Sequence, residues 1–323
     1  MKNSIVVTGG AGFIGSNIVA ALNQRGQDDI VVVDRLGTGE KWKNLRGLRF
    51  RAYMDKDDFL AGVQARSLEA PAAVLHMGAC SATTERDADY LMRNNTLFTQ
   101  ALCGWALECG ARFVTASSAA TYGDGSRGYD DADKATPTLR PLNMYGYSKQ
   151  LFDEWALREG LYERIVGLKF FNVFGPREAH KGDMRSVVHK SWQQVRAEGR
   201  ISLFRSAHPQ YRDGEQMRDF ICVKDAVDVV LHFVENRSAN GLFNCGTGKA
   251  RTWLDLARAV FAAMGREESI QWVDMPAALA GKYQYFTQAS TRKLREAGGY
   301  AAPFTSLEEG VAEYVAWLEA HEA

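Results

Sequence analysis

The chain has no long apolar run, no excess of either charge and no organised set of cysteines, and each absence removes a class of function. No stretch approaches the ~20 apolar residues of a membrane helix, so no spanning segment is expected. The start, MKNSIVVTGG, runs straight into a β-like segment. No apolar stretch lies behind a basic flank, so no signal peptide is expected and the reading is cytoplasmic. Lys+Arg and Asp+Glu number 39 each. That balance speaks against a general nucleic-acid or membrane-surface binder, while leaving room for a local basic pocket. The five cysteines (Cys80, Cys103, Cys109, Cys222 and Cys245) are odd in number, scattered and without C-x-x-C. This suits a reducing compartment, gives no metal spacing, and reads each as a small buried hydrophobe. Internal repeats and low-complexity linkers are missing too.

What is present is an ordinary globular composition, 46% hydrophobic and 24% charged over 323 residues. At that length one core stops growing, so a large domain plus a smaller one is expected. Short β-branched runs stand at Ile5–Thr8, Ile30–Asp34, Ala73–His76, Phe113–Ala116 and Ile165–Phe171. Segments of helical spacing lie among them: Ser16–Arg25 closed by Gly26, Tyr90–Glu108, and Ser148–Glu159 followed by Gly160. Unalternated apolar strands separated by helices predict an α/β fold, a Rossmann-type doubly wound parallel sheet covered on both faces. From about residue 175 the texture turns charged and irregular up to Met217. A helix is predicted over Val223–Glu235 and a strand over Phe243–Gly248. Thr252/Asp255 and Ser306/Glu309 form capping-box patterns that open amphipathic helices. The expected division is a dinucleotide-binding domain over 1–174 with a return at about 218–250. A smaller, interleaved substrate domain takes 175–217 and 251–323.

TGGAGFIG follows the first strand and opens the first helix. Gly9, Gly12 and Gly15 let the backbone turn, approach a pyrophosphate and pack helix on sheet. Asp34 ends the second strand where a dinucleotide fingerprint places an acid for the ribose 2′-hydroxyl, which favours NAD. Arg35, Lys41 and Lys56 are close enough in sequence to offset that carboxylate and hold a 2′-phosphate. The residues alone leave NADP and NAD open. The spacing is G-x-x-G-x-x-G rather than G-x-G-x-x-G, and in this it resembles the extended short-chain dehydrogenase/reductase family, which acts largely on nucleotide sugars.

YGYSK puts Tyr145 and Lys149 four apart on one helix face. A free phenol titrates near 10, so a neighbouring ammonium and an oxidised nicotinamide are expected to lower it and make Tyr145 a base. Tyr147, two residues on, is read as packing. In ASSAATYG the resemblance places the partner hydroxyl on Ser118, with Ser117 as the alternative. Dehydratases of that family carry an acid pair in the next two positions. Here these are Ala119 and Ala120, which transfer no proton, so elimination of water is not expected.

The loop FNVFGPREAHKGDM holds Lys181 just beyond a strand end, where α/β sheets bind ligands. Desolvation there would bring a lysine towards neutrality and make it a second acid/base group. GGAGFIGSNIV, YMDKDDF, HMGACSATTE, ASSAATYG, YGYSK, FNVFGPREAHKG, FNCGTG and GKYQYFTQA together resemble the ADP-L-glycero-D-manno-heptose 6-epimerases of lipopolysaccharide core synthesis. The matches span residues 5 to about 290. This resemblance implies that Tyr145 and Lys181 are paired bases, supported by Lys149 and Ser118. It implies inversion at C6 of an ADP-heptose, with hydride passing to enzyme-bound NADP and back. By the same carry-over Gly9, Gly12, Phe13, Ile14, Gly15, Asp34, Arg35, Lys41, Lys56, Met77, Gly78, Ala79, Cys80, Ser81, Asn94 and Val173 are cofactor contacts. Asn172, Asp183, Phe204, Arg218 and Tyr283 are substrate contacts. No metal is implied, and a homo-oligomer is, with a pentamer as one candidate. His180 is read as a loop spacer and His76 as a structural histidine. The chain departs from the pattern at Met77, at Asp183, and in the longer segment SAHPQYRDGEQM.

Two other readings are weighed. A UDP- or GDP-hexose 4-epimerase of the same family turns its keto-sugar over and has no need of Lys181. A non-catalytic NADP-binding sensor would have lost Tyr145, Lys149 or Ser118, and all three are present.

Overall fold

Successive residues of the first strands serve two different cores. Ile5 and Val7 pack on one side of the sheet and Val6 on the other, and Ile30 and Val32 are likewise opposed to Val31 and Val33. Side chains alternate across a strand, so an unbroken apolar run is what a sheet covered on both faces requires. The computed structural model describes residues 4–276 and 283–322. Its main sheet is built from β1 (Ile5–Thr8), β2 (Ile30–Asp34), β3 (Ala52–Asp55), β4 (Ala73–His76), β5 (Arg112–Ser118), β6 (Val166–Phe170) and β10 (Gly241–Cys245). The order is β10-β6-β5-β4-β1-β2-β3, all pairs parallel. This is the doubly wound α/β sheet that the strand pattern predicts.

Helices α1 (Phe13–Gln24) and α7 (Val223–Glu235) cover one face of that sheet. The other face takes α2 (Lys56–Gln64), α4 (Phe98–Glu108) and α5 (Met144–Arg158). The segment expected as one helix over Tyr90–Glu108 is less regular. α3 (Ala88–Leu91) runs through a π-helical turn, Met92–Leu97, into α4. That turn carries Asn95, which bonds both backbone groups of Cys80 and the Ser148 hydroxyl. Gly26 (φ 77°) and Gly160 (φ 65°) adopt the left-handed conformation expected just past α1 and α5.

At Phe171 the chain leaves the main sheet. One residue later β7 (Asn172–Phe174) pairs with β9 (Met217–Cys222), which also pairs with β11 (Ala250–Thr252). β8 (Ile201–Phe204) pairs in parallel with β12 (Ile270–Val273). A third core gathers α6 (Val187–Glu198), α8 (Trp253–Ala263) and, beyond the short α9 (Arg292–Glu296), α10 (Leu307–His321). Both expected capping boxes are formed, Thr252 with Asp255 and Ser306 with Glu309. Among the described residues no helix is long and apolar enough to cross a membrane.

Candidate active site

A cavity of about 620 Å³ opens at the carboxyl ends of β1, β4, β5 and β6. Its floor is the glycine loop. Gly9 holds φ 66°, and a Cβ there would stand 2.6 Å from the Gly78 Cα. A Cβ on Gly15 would run into the Gly9 carbonyl. The loops after β1 and β4 therefore pack backbone against backbone, and α1 starts directly behind them. A helix N-terminus with free N–H groups behind such a cradle suits a pyrophosphate. Gly9, Gly12, Phe13, Ile14, Gly15, Met77, Gly78, Ala79, Cys80, Ser81 and Val173 all line the cavity.

Asp34 closes the far end, and its carboxylate is already engaged. Oδ2 accepts the Ala11 N–H at 2.8 Å, while Oδ1 accepts the Arg35 N–H at 2.7 Å and the Lys41 ammonium at 2.6 Å. Lys41 lines the cavity beside it. Arg35 is exposed just outside the wall, and Lys56 pairs with Asp57 at 2.8 Å. Asn94 also stands off the wall and donates to Asn95 at 3.0 Å.

On one side wall stand Ser118, Tyr145 and Lys149. The Asn143 side chain caps α5 by accepting the Gly146 N–H at 2.8 Å. Gly146 lets the first turn lie close to the strand end, because a Cβ there would stand 2.7 Å from the Ala120 carbonyl oxygen. Lys149 is buried and its ammonium donates to the Ala116 carbonyl at 2.8 Å. Burial brings that ammonium down to about 8, with Asp153 opposing the shift. Within the protein, burial pushes the Tyr145 phenol up, and a hydrogen bond with Ser118 opposes this only in part. Lys149 keeps its ammonium on the Ala116 carbonyl, and the Tyr145 phenol stays above its ordinary value. Ser117 turns its hydroxyl to Asp153 at 2.6 Å, which leaves Ser118 as the hydroxyl against Tyr145. Tyr147 is 45% exposed rather than packed.

The opposite wall is a short 3₁₀ segment, Ala179–Met184, kinked at Gly182 (φ 55°). It brings Lys181 into the same cavity, with its ammonium 5.1 Å from the Phe13 ring centroid. Burial lowers the Lys181 ammonium, and Glu178 opposes that. Glu178 is fully buried and accepts from the Ser186 N–H at 2.6 Å and its hydroxyl at 2.5 Å. His180 also lines the cavity, hydrogen-bonded to Asn44 at 3.0 Å and brought down to about 4 by burial and by Lys41 and Lys181. It clamps the loop to the region after β2 rather than merely spacing it. His76 is fully buried between Thr8 at 2.6 Å and Thr99 at 2.8 Å, as a structural histidine should be.

The substrate-side residues are only partly assembled. Asn172 lines the cavity. Arg218 is 6% exposed and sits behind the wall, 5.6 Å from the Trp253 ring and 5.0 Å from the Tyr283 ring. Trp253 lines the cavity and donates to the Tyr283 hydroxyl at 2.8 Å. Asp183 is exposed, and Phe204 ends β8; neither reaches the wall. Among the described residues no group of His, Cys, Asp or Glu could hold a metal ion.

Three residues that position this site escaped the motif reading. Asn95 depends on a π-turn that no local pattern announces. Glu178 lies inside the PREAHKG motif, three residues before Lys181, and its burial was the missing fact. Asp153 continues the Tyr145–Lys149 spacing by four more residues, a signal that was available.

The NAD dependent epimerase/dehydratase family model matches residues 5–246. The ADP-L-glycero-D-manno-heptose-6-epimerase of Nitratidesulfovibrio vulgaris (strain DP4) is 59% identical over 311 residues, 96% of each chain. The protein of that name from Fusobacterium nucleatum is 45% identical over 324 residues, again 96% of each chain. Among solved structures, the Helicobacter pylori ADP-L-glycero-D-manno-heptose-6-epimerase superposes with a TM-score of 0.85 at 26% identity, covering 99% of this chain and 97% of that one. The Thermotoga maritima UDP-glucose 4-epimerase with UDP-glucose gives a TM-score of 0.79 at 25% identity, covering 99% and 100%. With its glycine cradle, its Tyr145–Lys149 helix and relatives matched over nearly their full length, this chain belongs to the NAD dependent epimerase/dehydratase family, on the branch of the ADP-L-glycero-D-manno-heptose-6-epimerases.

Proposed function

We propose that this protein converts ADP-D-glycero-D-manno-heptose to ADP-L-glycero-D-manno-heptose by inverting C6, using bound NADP, and so supplies heptose for lipopolysaccharide core. The observation that carries the reading is one cavity with a dinucleotide cradle as floor, Tyr145 on one wall and Lys181 on the other. A single-base 4-epimerase gives no reason for a half-buried lysine on the second wall. A nicotinamide dinucleotide fits the cradle, and when bound it supplies reversible hydride transfer.

The residues do the rest. Tyr145 takes the proton of the C6 hydroxyl, and Ser118 holds the reacting oxygen. Lys149, cationic for the most part at pH 7, offsets the phenolate charge that forms. Burial raises the phenol, so positive charge beside it is what favours the phenolate. Lys181, eased towards neutrality by burial, exchanges a proton on the other face. Arg218 is suited by its fork to a diphosphate. NADP over NAD is supported by Asp34, whose oxygens are engaged, by Lys41 on its carboxylate and by Arg35 next in the chain, while Lys56 is held by Asp57. We read the interleaved segments 175–217 and 251–323 as the substrate domain, and the working unit as a cytoplasmic homo-oligomer.

The test is NMR of the purified enzyme with ADP-D-glycero-D-manno-heptose and no added cofactor. Inversion at C6 is expected. An unchanged sugar, together with turnover of UDP-hexoses, would overturn the assignment.

A further inference from the structure

Behind Lys149 lies a buried polar cluster that the reaction as described does not use. Asp153 sits one turn further along α5 and Lys169 lies on β6, both fully buried, with their charges 3.0 Å apart. The Ser117 hydroxyl donates to Asp153 Oδ2 at 2.6 Å and the Tyr162 hydroxyl to Oδ1 at 2.8 Å. Lys169 also donates to the Thr121 hydroxyl at 2.7 Å and lies 5.2 Å from the Tyr122 ring centroid. Desolvating two charges costs several kcal/mol per ion, and a well-packed apolar pair of the same volume is often at least as stable. Fold stability therefore gives no reason to keep this pair.

Its location gives one. Tyr145, Lys149 and Asp153 fall four residues apart along α5, so they share a face. Ser117 precedes Ser118 on β5 and is paired in register with Lys169 on β6. Ala116, the next residue back, accepts the Lys149 ammonium. The groups around Lys149 are that carbonyl on β5, His76 on β4, Tyr145 and Asp153 on its own helix, and Lys169 behind Asp153. His76 is held neutral by burial, at about 3. Among these described groups Asp153 supplies the negative charge, and it works against the desolvation of Lys149.

We propose that Asp153, held by Lys169, Ser117 and Tyr162, is a positioning residue that keeps Lys149 in its cationic form. The proposal rests on the reading of Lys149 as the electrostatic partner of Tyr145. Asp153 touches neither substrate nor cofactor and acts through Lys149. Lys169 holds the carboxylate in place and at the same time masks part of its charge.

The experiment is the pH profile of kcat for the cofactor-loaded enzyme turning over ADP-D-glycero-D-manno-heptose, in wild type and in Asp153→Asn, Lys169→Met, the double variant and Lys149→Arg. In the wild type the alkaline limb follows deprotonation of Lys149. Asp153→Asn should move that limb about one pH unit towards acid, a roughly tenfold loss above it. Lys169→Met, which unmasks the carboxylate, should leave the limb in place or move it towards alkali. An acid shift in Asp153→Asn without one in Lys169→Met is what a merely structural pair would not give. A limb unmoved in Asp153→Asn, or moved towards acid in both single variants, overturns the proposal. If Asp153→Asn does not fold, the double variant carries the test, since it removes both charges and should show the acid shift. Lys149→Arg stays cationic and should lose the limb. A limb that persists there overturns the reading of Lys149 itself, which separates that failure from a failure of Asp153.

Discussion

The two walls of the cavity hold Tyr145 and Lys181 in opposite ways. Tyr145 rides on α5, a fifteen-residue helix capped by Asn143 and packed on the main sheet, so its place follows from regular hydrogen bonding. Lys181 rides on six residues of 3₁₀ helix that bury no side chain completely and are kinked at Gly182. Its place depends on Glu178, which ties the segment to the start of α6 through Ser186. The first wall is fixed by an element and the second by two side-chain ties, Glu178 to Ser186 and His180 to Asn44. A helix resists displacement over several turns, whereas a loop can be released by a single side-chain change.

The largest break in that comparison is at the helix. Tyr145→Phe should lower kcat by about a thousandfold, within the 10²–10⁴ range of acid–base groups, with bound cofactor retained. Steady-state NMR of C6 inversion reads it, and wild-type rates would remove Tyr145 from the mechanism. Lys181→Ala should cost about a hundredfold, or ~2.7 kcal/mol of barrier, again without loss of folding. Full activity there would sink the two-base scheme and leave the second wall without a task. Glu178→Gln sharpens the contrast. It deletes one acceptor at a buried site, so kcat should fall about tenfold while proteolysis near residues 179–184 speeds up. Equal protection in wild type and variant would show that the His180–Asn44 tie is enough to hold the loop. An effect of the same size, on binding rather than rate, is expected at the far end of the floor. Lys41→Ala should raise the Kd for NADP about tenfold, near 1.4 kcal/mol, and hardly change that for NAD. Calorimetry on the cofactor-free protein reads both, and parallel losses would mean that Lys41 serves only Asp34.

Much of the first wall and the floor was legible in the sequence, because the signals there are local. A glycine loop between strand and helix, apolar runs without alternation, and a Tyr-x-x-x-Lys spacing each report on their own neighbourhood. Helix Val223–Glu235 and both capping boxes read correctly for the same reason. The joints between distant segments were less legible. β8 finds its partner β12 almost seventy residues on, and its half-buried alternation gives no hint of where. The π-turn at Met92–Leu97 exists because Asn95 bonds Cys80 and Ser148, which is a tertiary fact. The expectation for Tyr145 weighs the charges beside it, whereas burial, which raises the phenol, is no local signal. Lys149 looked like a free cation in the sequence, while in the fold a carbonyl holds it.

The departure of the chain from the main sheet at Phe171 also bears on how the protein is made. β6 waits for its outer neighbour β10 until about 70 further residues have been synthesised, and these must build much of another core meanwhile. At a ribosomal pace of about 5–20 residues per second that interval lasts several seconds. During it a newborn chain presents an apolar, unpaired strand edge to its surroundings. The order of the strands along the gene thus makes the nascent chain dependent on crowding and chaperone capacity at one definite moment of translation, after the cradle is complete and before the sheet is closed.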